Sequence, residues 1–156
     1  LYAFPVHIYQ YQKIIQDLID VFKNTEIEVH LKYHPLYQSS DINIQLPSNF
    51  KVWEQKSDEK LNEAYDLVLF SDNSFGIESL LMGVKSYEYK FGEIYDENRL
   101  FNFDLYHHRL DKKELINIRD HILNNTIVKY LNKAYIRQYI ESMYMVYDSD
   151  TSKILY

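Results

Sequence analysis

Three short segments hold the residues whose types and spacing could do chemistry: Phe4-Pro5-Val6-His7, Lys32-Tyr33-His34-Pro35 and Ser71-Asp72-Asn73-Ser74-Phe75-Gly76. The third leads from an apolar run into a helical pattern. A helix starting there offers free backbone N–H groups and a partial positive charge, which favour a phosphate or another anion. Ser74 adds a hydroxyl donor, and Gly76 lets a ligand approach the backbone closely. The same Ser71, Asp72, Asn73 or Ser74 would also serve as a plain helix cap. Glu78 follows Ser74 by four residues and so falls one turn deeper on a similar face. Its carboxylate could accept two hydrogen bonds from a ribose diol, or it could be a solvated first-turn residue that suits the helix dipole. His34 could donate to a phosphate oxygen and stabilise a leaving group, with Pro35 fixing the turn that directs the ring. An isolated His-Pro pair reads first as a surface turn.

Other candidates are weaker. Asp148-Ser149-Asp150 has the spacing of a metal-binding carboxylate pair, but no strand precedes it, and it reads as solvated tail. His107-His108 lacks a partner at a fixed spacing. Tyr130, Tyr135, Tyr139 and Tyr144 read as core and rim of a helix. There is no Gly-rich Walker loop and no G-x-G-x-x-G, so the standard ATP and dinucleotide fingerprints are missing.

These segments need elements to position them, and 156 residues suffice for one domain of ordinary size. The formal net charge of -6 argues against a nucleic-acid partner. With no Cys, disulfide scaffolds, thiol nucleophiles, zinc ribbons and iron–sulfur sites are excluded. No apolar run approaches the ~20 residues of a membrane span. The chain begins at Leu1 without a signal-peptide pattern and reads as a piece of a longer cytosolic protein.

Leu1 to Phe4 reads as a strand. Tyr11, Ile14, Ile15, Leu18 and Phe22 then line one face of a helix. Ile27, Val29, Leu31 and Tyr33 alternate with Glu28, His30 and Lys32 as a second strand. Residues 37–49 read as loop, and Phe50 to Trp53 as a third strand. Ser57 is placed as the N-cap of a short helix carrying Leu61 and Ala64. Leu67 to Phe70 is continuously apolar, as a buried parallel strand would be. Phe75 to Met82 forms a helix ended by Gly83, and Val84 to Tyr89 a fifth strand. Glu93 to Leu110 reads as irregular. Asp111 and Glu114 form a capping box for a helix with Leu115, Ile118 and Ile122 on one face, stopped at Asn124-Asn125. A longer helix is expected from about Ile127 to Val146. The alternation implies one α/β domain over residues 1–146, a Rossmann-like doubly wound parallel sheet of about five strands with C-terminal helices, then a polar tail at 147–156. In such a sheet all three chemical segments fall on one edge, where ligands bind. The alternation from Glu28 to Tyr33 fits this poorly, because it suits a sheet with one wet face.

Taken together, the strand ending Lys32-Tyr33-His34-Pro35, the strand ending Ser71-Asp72-Asn73-Ser74, and the helix from Phe75 through Glu78 to Gly83 resemble the C-terminal half of GT-B-fold glycosyltransferases. The likeness is to bacterial surface-polysaccharide enzymes, particularly capsule Kdo transferases and the bacterial sialyltransferases of this fold. The resemblance covers most of the chain in element order, with its motif residues between Lys32 and Gly83. The chain departs from that pattern at Gly83-Val84-Lys85, which lacks the usual Pro, and at Asn73-Ser74-Phe75, where relatives carry a Ser-Ser or Ser-Thr turn.

The resemblance implies one half of a GT-B fold that binds a nucleotide-sugar donor, with the acceptor brought by a missing N-terminal half. Lys32, His34, Pro35, Ser71, Asn73, Ser74, Phe75, Gly76 and Glu78 would surround the nucleotide, with His34 stabilising the leaving phosphate and Glu78 holding the ribose. It implies no metal and no cofactor, a cytoplasmic place with possible peripheral association with the inner membrane, and a role in capsule or lipopolysaccharide synthesis. Ser71 to Gly83 contains no basic residue, which favours a CMP-activated acidic sugar over a UDP-sugar. A UDP-N-acetylglucosamine 2-epimerase is the alternative, although those enzymes usually carry a second Glu where Ser79 stands. A non-catalytic, receiver-like module is the third reading. It would need acidic residues at the first and third strand ends, and neither Phe4-Pro5 nor Val52-Trp53 has them.

Overall fold

A computed structural model of the chain describes residues 1–54, 60–71, 73–89 and 109–126. Its elements in order are β1 (Tyr2–Ala3), α1 (Tyr11–Phe22), β2 (Val29–Lys32), β3 (Phe50–Val52), α2 (Leu61–Ala64), β4 (Val68–Phe70), α3 (Phe75–Leu81), β5 (Ser86–Tyr89), β6 (Arg109–Leu110) and α4 (Lys112–Leu123). Short 3₁₀ turns at Ile8–Gln10 and Ser39–Asp41 complete the connections. The strands form one sheet in the order β3-β2-β1-β4-β5-β6, and every neighbouring pair is parallel. This is the strand order of a Rossmann-like α/β fold, with its direction of winding reversed between β1 and β4. The five expected strands are present. The sixth, β6, lies in the stretch read as irregular, because two residues carry no periodicity from which a strand could be read.

The helices form where their spacing places an apolar stripe. Tyr11, Ile14, Ile15, Leu18 and Phe22 of α1 are all buried. They pack on one face of the sheet with Leu31 and Leu69 and with Leu115 and Ile118 of α4. The opposite face holds a smaller cluster of Leu61, Val68 and Val84, against which Tyr65 and Phe75 pack. The central strand β4 is buried at all three positions, as its unbroken apolar run requires.

β2 behaves differently, and this resolves its alternating sequence. Val29 and Leu31 are buried toward α1, whereas His30 and Lys32 are half-buried on the other face. There the cover is thin, and polar partners satisfy the side chains. His30 bonds the Tyr65 hydroxyl at 2.8 Å and the Glu28 carboxylate, which also pairs with Lys51.

Helix ends follow the local signals closely. Asp111 accepts the Glu114 N–H at 2.8 Å, and the Glu114 carboxylate accepts the Asp111 N–H at 2.8 Å, closing the capping box of α4. Gly83 has φ +81°. Its N–H donates to Leu80 O, and that of Val84 to Ser79 O, the pair of bonds that ends a helix through a left-handed residue. The N-cap position of α2 is Lys60 rather than Ser57. Ser57, Asp72, His107-His108, the helix expected from Ile127 and the 147–156 tail lie outside the described residues. No helix among the described residues is long and apolar enough to cross a membrane.

Asp17 is a carboxylate on the buried face of α1. It accepts Lys13 Nζ at 2.5 and 2.6 Å, Lys112 Nζ at 3.0 Å and the Tyr89 hydroxyl at 3.0 Å, so it joins α1, α4 and β5. Burial pushes its pKa up, but these donors outweigh burial and hold the carboxyl below its ordinary 3.8. The resulting stabilisation is fully present above that ordinary value and is lost as pH falls through the lower folded-state value. Asp17→Asn should therefore lower stability at neutral pH and flatten the acid limb of a stability–pH curve measured by urea unfolding. An acid limb identical to wild type would remove Asp17 from this role.

Candidate functional site

The reversal between β1 and β4 leaves a crevice outside their carboxyl ends, where ligands enter open α/β sheets. A cleft of about 360 Å³ lies there. β1 and the residues after it contribute Ala3, Phe4 and Val6; the end of β2 and the residues after it contribute Lys32, His34 and Pro35; the β4–α3 turn contributes Asn73 and Ser74, and α3 contributes Phe75 and Glu78. Seven of the nine residues proposed from sequence thus line one cleft, although Lys32 and Glu78 are 46 positions apart. A larger cavity of about 430 Å³ lies at the amino ends of the strands, lined by Val29, His30, Tyr65 and Leu67 among others. It contains none of the nine.

The other two of the nine are placed elsewhere. Ser71 is buried, and its hydroxyl donates to Tyr89 O at 2.7 Å. Its proton is thereby used, so the Tyr2 hydroxyl, 2.5 Å away, donates to it. Ser71 ties β4 to β5 and β1 and does not line the cleft. Gly76 is also buried and away from the cleft. A Cβ on it would come under 3.0 Å from the Phe70 ring, so its bareness serves the packing of α3 on β4 rather than a ligand's approach. His7, from the first segment, is exposed and stacks on Tyr9 at 5.4 Å.

Three contacts hold the lining in place. Asn73 Nδ2 donates to Ala3 O at 2.9 Å, Phe4 O at 3.1 Å and Ser71 O at 3.0 Å, fixing the turn before α3 to the end of β1. Among the described residues its buried Oδ1 has no partner. The Tyr11 hydroxyl donates to Pro5 O at 2.8 Å and accepts the His34 N–H at 3.2 Å, joining the ends of β1 and β2. Burial pushes this phenol up to about 12, so it stays protonated and keeps donating at neutral pH. The Tyr11 ring stacks on Phe4 at 4.3 Å and on Tyr33 at 5.9 Å beneath the same strand ends. Its hydroxyl was legible only as a polar atom on an apolar stripe that needs a buried partner.

Leu36 N–H approaches His34 Nδ1 at 3.4 Å, which makes Nδ1 the acceptor and leaves an N–H at Nε2. Ser74 occupies the N-cap position of α3 but makes no side-chain cap bond. Its hydroxyl donates instead to Glu78 Oε1 at 2.9 Å. The Lys32 ammonium lies over the Phe75 ring at 4.6 Å and over the Trp53 ring at 5.3 Å. Desolvation by this burial lowers its pKa, and the Glu78 charge opposes that shift. Among the described residues no group of three or more His, Asp or Glu is arranged to hold a metal ion. The chemistry available here is recognition of an anion by Lys32, the Nε2–H of His34 and the Ser74 hydroxyl, beside a carboxylate able to accept from hydroxyls.

Fold and site together define a Rossmann-like domain with an anion-compatible cleft at its switch point. Comparison of the chain with family models, curated proteins and solved structures gives no match.

Two substitutions test the scaffold. Tyr11→Phe should cost about 1–2 kcal/mol in chemical denaturation, because it leaves Pro5 O without its donor. An unchanged midpoint would mean that water replaces the bridge. Gly76→Ala should cost about 1–3 kcal/mol through overpacking against Phe70, with Phe70→Leu in the same chain recovering part of the loss. Failure of that recovery would place the clash elsewhere.

Proposed function

We propose that this chain is the donor-binding half of a metal-independent GT-B glycosyltransferase of bacterial surface-polysaccharide synthesis. The observation that carries the reading is the convergence of Lys32, His34, Ser74 and Glu78 on one cleft at the switch point of the sheet. In glycosyl transfer the bond between the sugar's anomeric carbon and a phosphate oxygen breaks, and negative charge grows on the departing nucleotide. Donors held ready at that oxygen stabilise the transition state more than the ground state. His34 Nε2–H, the Ser74 hydroxyl and Lys32 would supply them. Ser74 would turn its hydroxyl from Glu78 to the phosphate, freeing the Glu78 carboxylate to accept from the ribose diol.

The acceptor and any general base would come from a second Rossmann-like half, so this chain binds donor without turning it over. The reading places it in the cytoplasm, with peripheral association at the inner membrane. A CMP-activated acidic sugar is the proposed donor, since the β4–α3 turn carries no cation of its own. Lys32 in the cleft is the group through which a UDP-sugar would compete.

Calorimetry on the intact protein with CMP, UDP, CDP and GDP tests this, and absence of binding to all four rejects it. His34→Ala and Ser74→Ala should each weaken CMP by roughly 1–3 kcal/mol, the loss of one hydrogen bond to a charged group. Glu78→Ala should weaken ribonucleotides and spare inorganic phosphate. UDP outcompeting CMP would overturn the donor assignment and leave the glycosyltransferase reading standing.

A further inference from the structure

The sequence pattern makes Trp53 the last residue of a strand. It follows β3, and its ring centroid lies 5.9 Å from that of Phe75, with 59° between the planes. The Lys32 ammonium sits against both rings, 4.6 Å from one centroid and 5.3 Å from the other. The three side chains come from β2, from the residue after β3 and from the start of α3, so tertiary structure alone assembles them. Lys32 and Phe75 line the cleft, together with His34 and Glu78.

We propose that Trp53 is a positioning residue for this cleft: with Phe75 it forms a two-ring cage that holds the Lys32 ammonium, partly stripped of water, as the cation that receives the ligand's anionic group. The ligand named here rests on the nucleotide-donor reading; the cage itself does not.

A free lysine has a long, mobile stem and a strongly hydrated head. Binding an anion then requires both ordering the stem and removing water. Ring faces attract the ammonium through their quadrupoles and cover part of it, so both changes are already made in the unliganded protein. The lowered pKa of Lys32 has that origin, desolvation by burial. The charged group acting on the ammonium is Glu78, from α3, which favours the protonated form. An incoming anion in the same cleft would act in the same sense as Glu78.

The test follows the Lys32 ε-methylene by NMR in lysine-labelled protein, in parallel with CMP and cytidine binding. In Trp53→Leu the Lys32 titration should move from its wild-type position, because ring attraction is lost and water is regained, and CMP should weaken by about tenfold while cytidine, which has no phosphate, does not change. Trp53→Phe should restore both. If Trp53→Leu fails to fold, Phe75→Leu gives the same NMR readout. An unmoved Lys32 titration in both Leu variants overturns the proposal, as does equal loss of CMP and cytidine. If wild type ignores CMP, pyrophosphate decides. A pyrophosphate-dependent Lys32 shift in wild type that is absent in Trp53→Leu upholds the cage while rejecting the nucleotide reading. No shift in either rejects the cage.

Discussion

Everything at the candidate site hangs from the pairing of one two-residue strand. Tyr2 and Ala3 face Leu31 and Lys32 on one side and Leu69 and Phe70 on the other, in parallel register on both. Bonds just past the strand continue the register, from Phe4 N–H to Lys32 O at 3.0 Å and from Ser71 N–H to Ala3 O at 3.2 Å. Parallel pairing puts the carboxyl ends of β1, β2 and β4 on one edge. Because the winding reverses at β1, the segments leaving those ends turn apart and open a crevice between them. A register shift of one residue would send Lys32 to the opposite face.

Around that strand, polar side chains act as struts between loops that have no ladder of their own. Asn73 binds the turn before α3 to the carbonyls of Ala3 and Phe4, Tyr11 joins Pro5 to His34, and Ser71 links Tyr2 to Tyr89. Each is a buried or half-buried polar group whose desolvation its bonds offset, for Asn73 at Nδ2 only, since its Oδ1 has no partner among the described residues. The same contacts determine where His34 and Ser74 can stand. Structural stability and the geometry of the cleft are therefore one set of interactions here, and Tyr11 and Ser71, which lie outside the lining, still control its shape.

The electrostatics of the cleft contrast with those of the chain. A protein of net charge -6 lines this cleft, among the described residues, with one ammonium, one imidazole, one hydroxyl, one carboxylate and the Asn73 amide. Ser74 donates to Glu78, and the Glu78 charge acts on Lys32. The carboxylate thus engages the hydroxyl directly and the ammonium through its charge.

The sequence by itself determined the local structure. Period 3.6 placed α1 and α4, the apolar run of Leu67 to Phe70 placed β4, and Asp111, Glu114 and Gly83 marked helix ends. Those signals are local because helix geometry, caps and turns depend on neighbours within a few residues. The parallel order that follows from alternating elements also brought Lys32, His34, Ser74 and Glu78 to one edge. Only the tertiary structure decided what each side chain does there. It drew Ser71 into the core and pressed Gly76 against Phe70. It also turned Asp17 inward to Lys13, Lys112 and Tyr89, joined Tyr11 to His34, and set Lys32 between Trp53 and Phe75. Apart from Lys13 beside Asp17 and Phe70 beside Gly76, these rest on partners distant in sequence. No periodicity encodes which distant side chain will fill a given space, because that choice is made by packing and by the need of each buried polar atom for a partner.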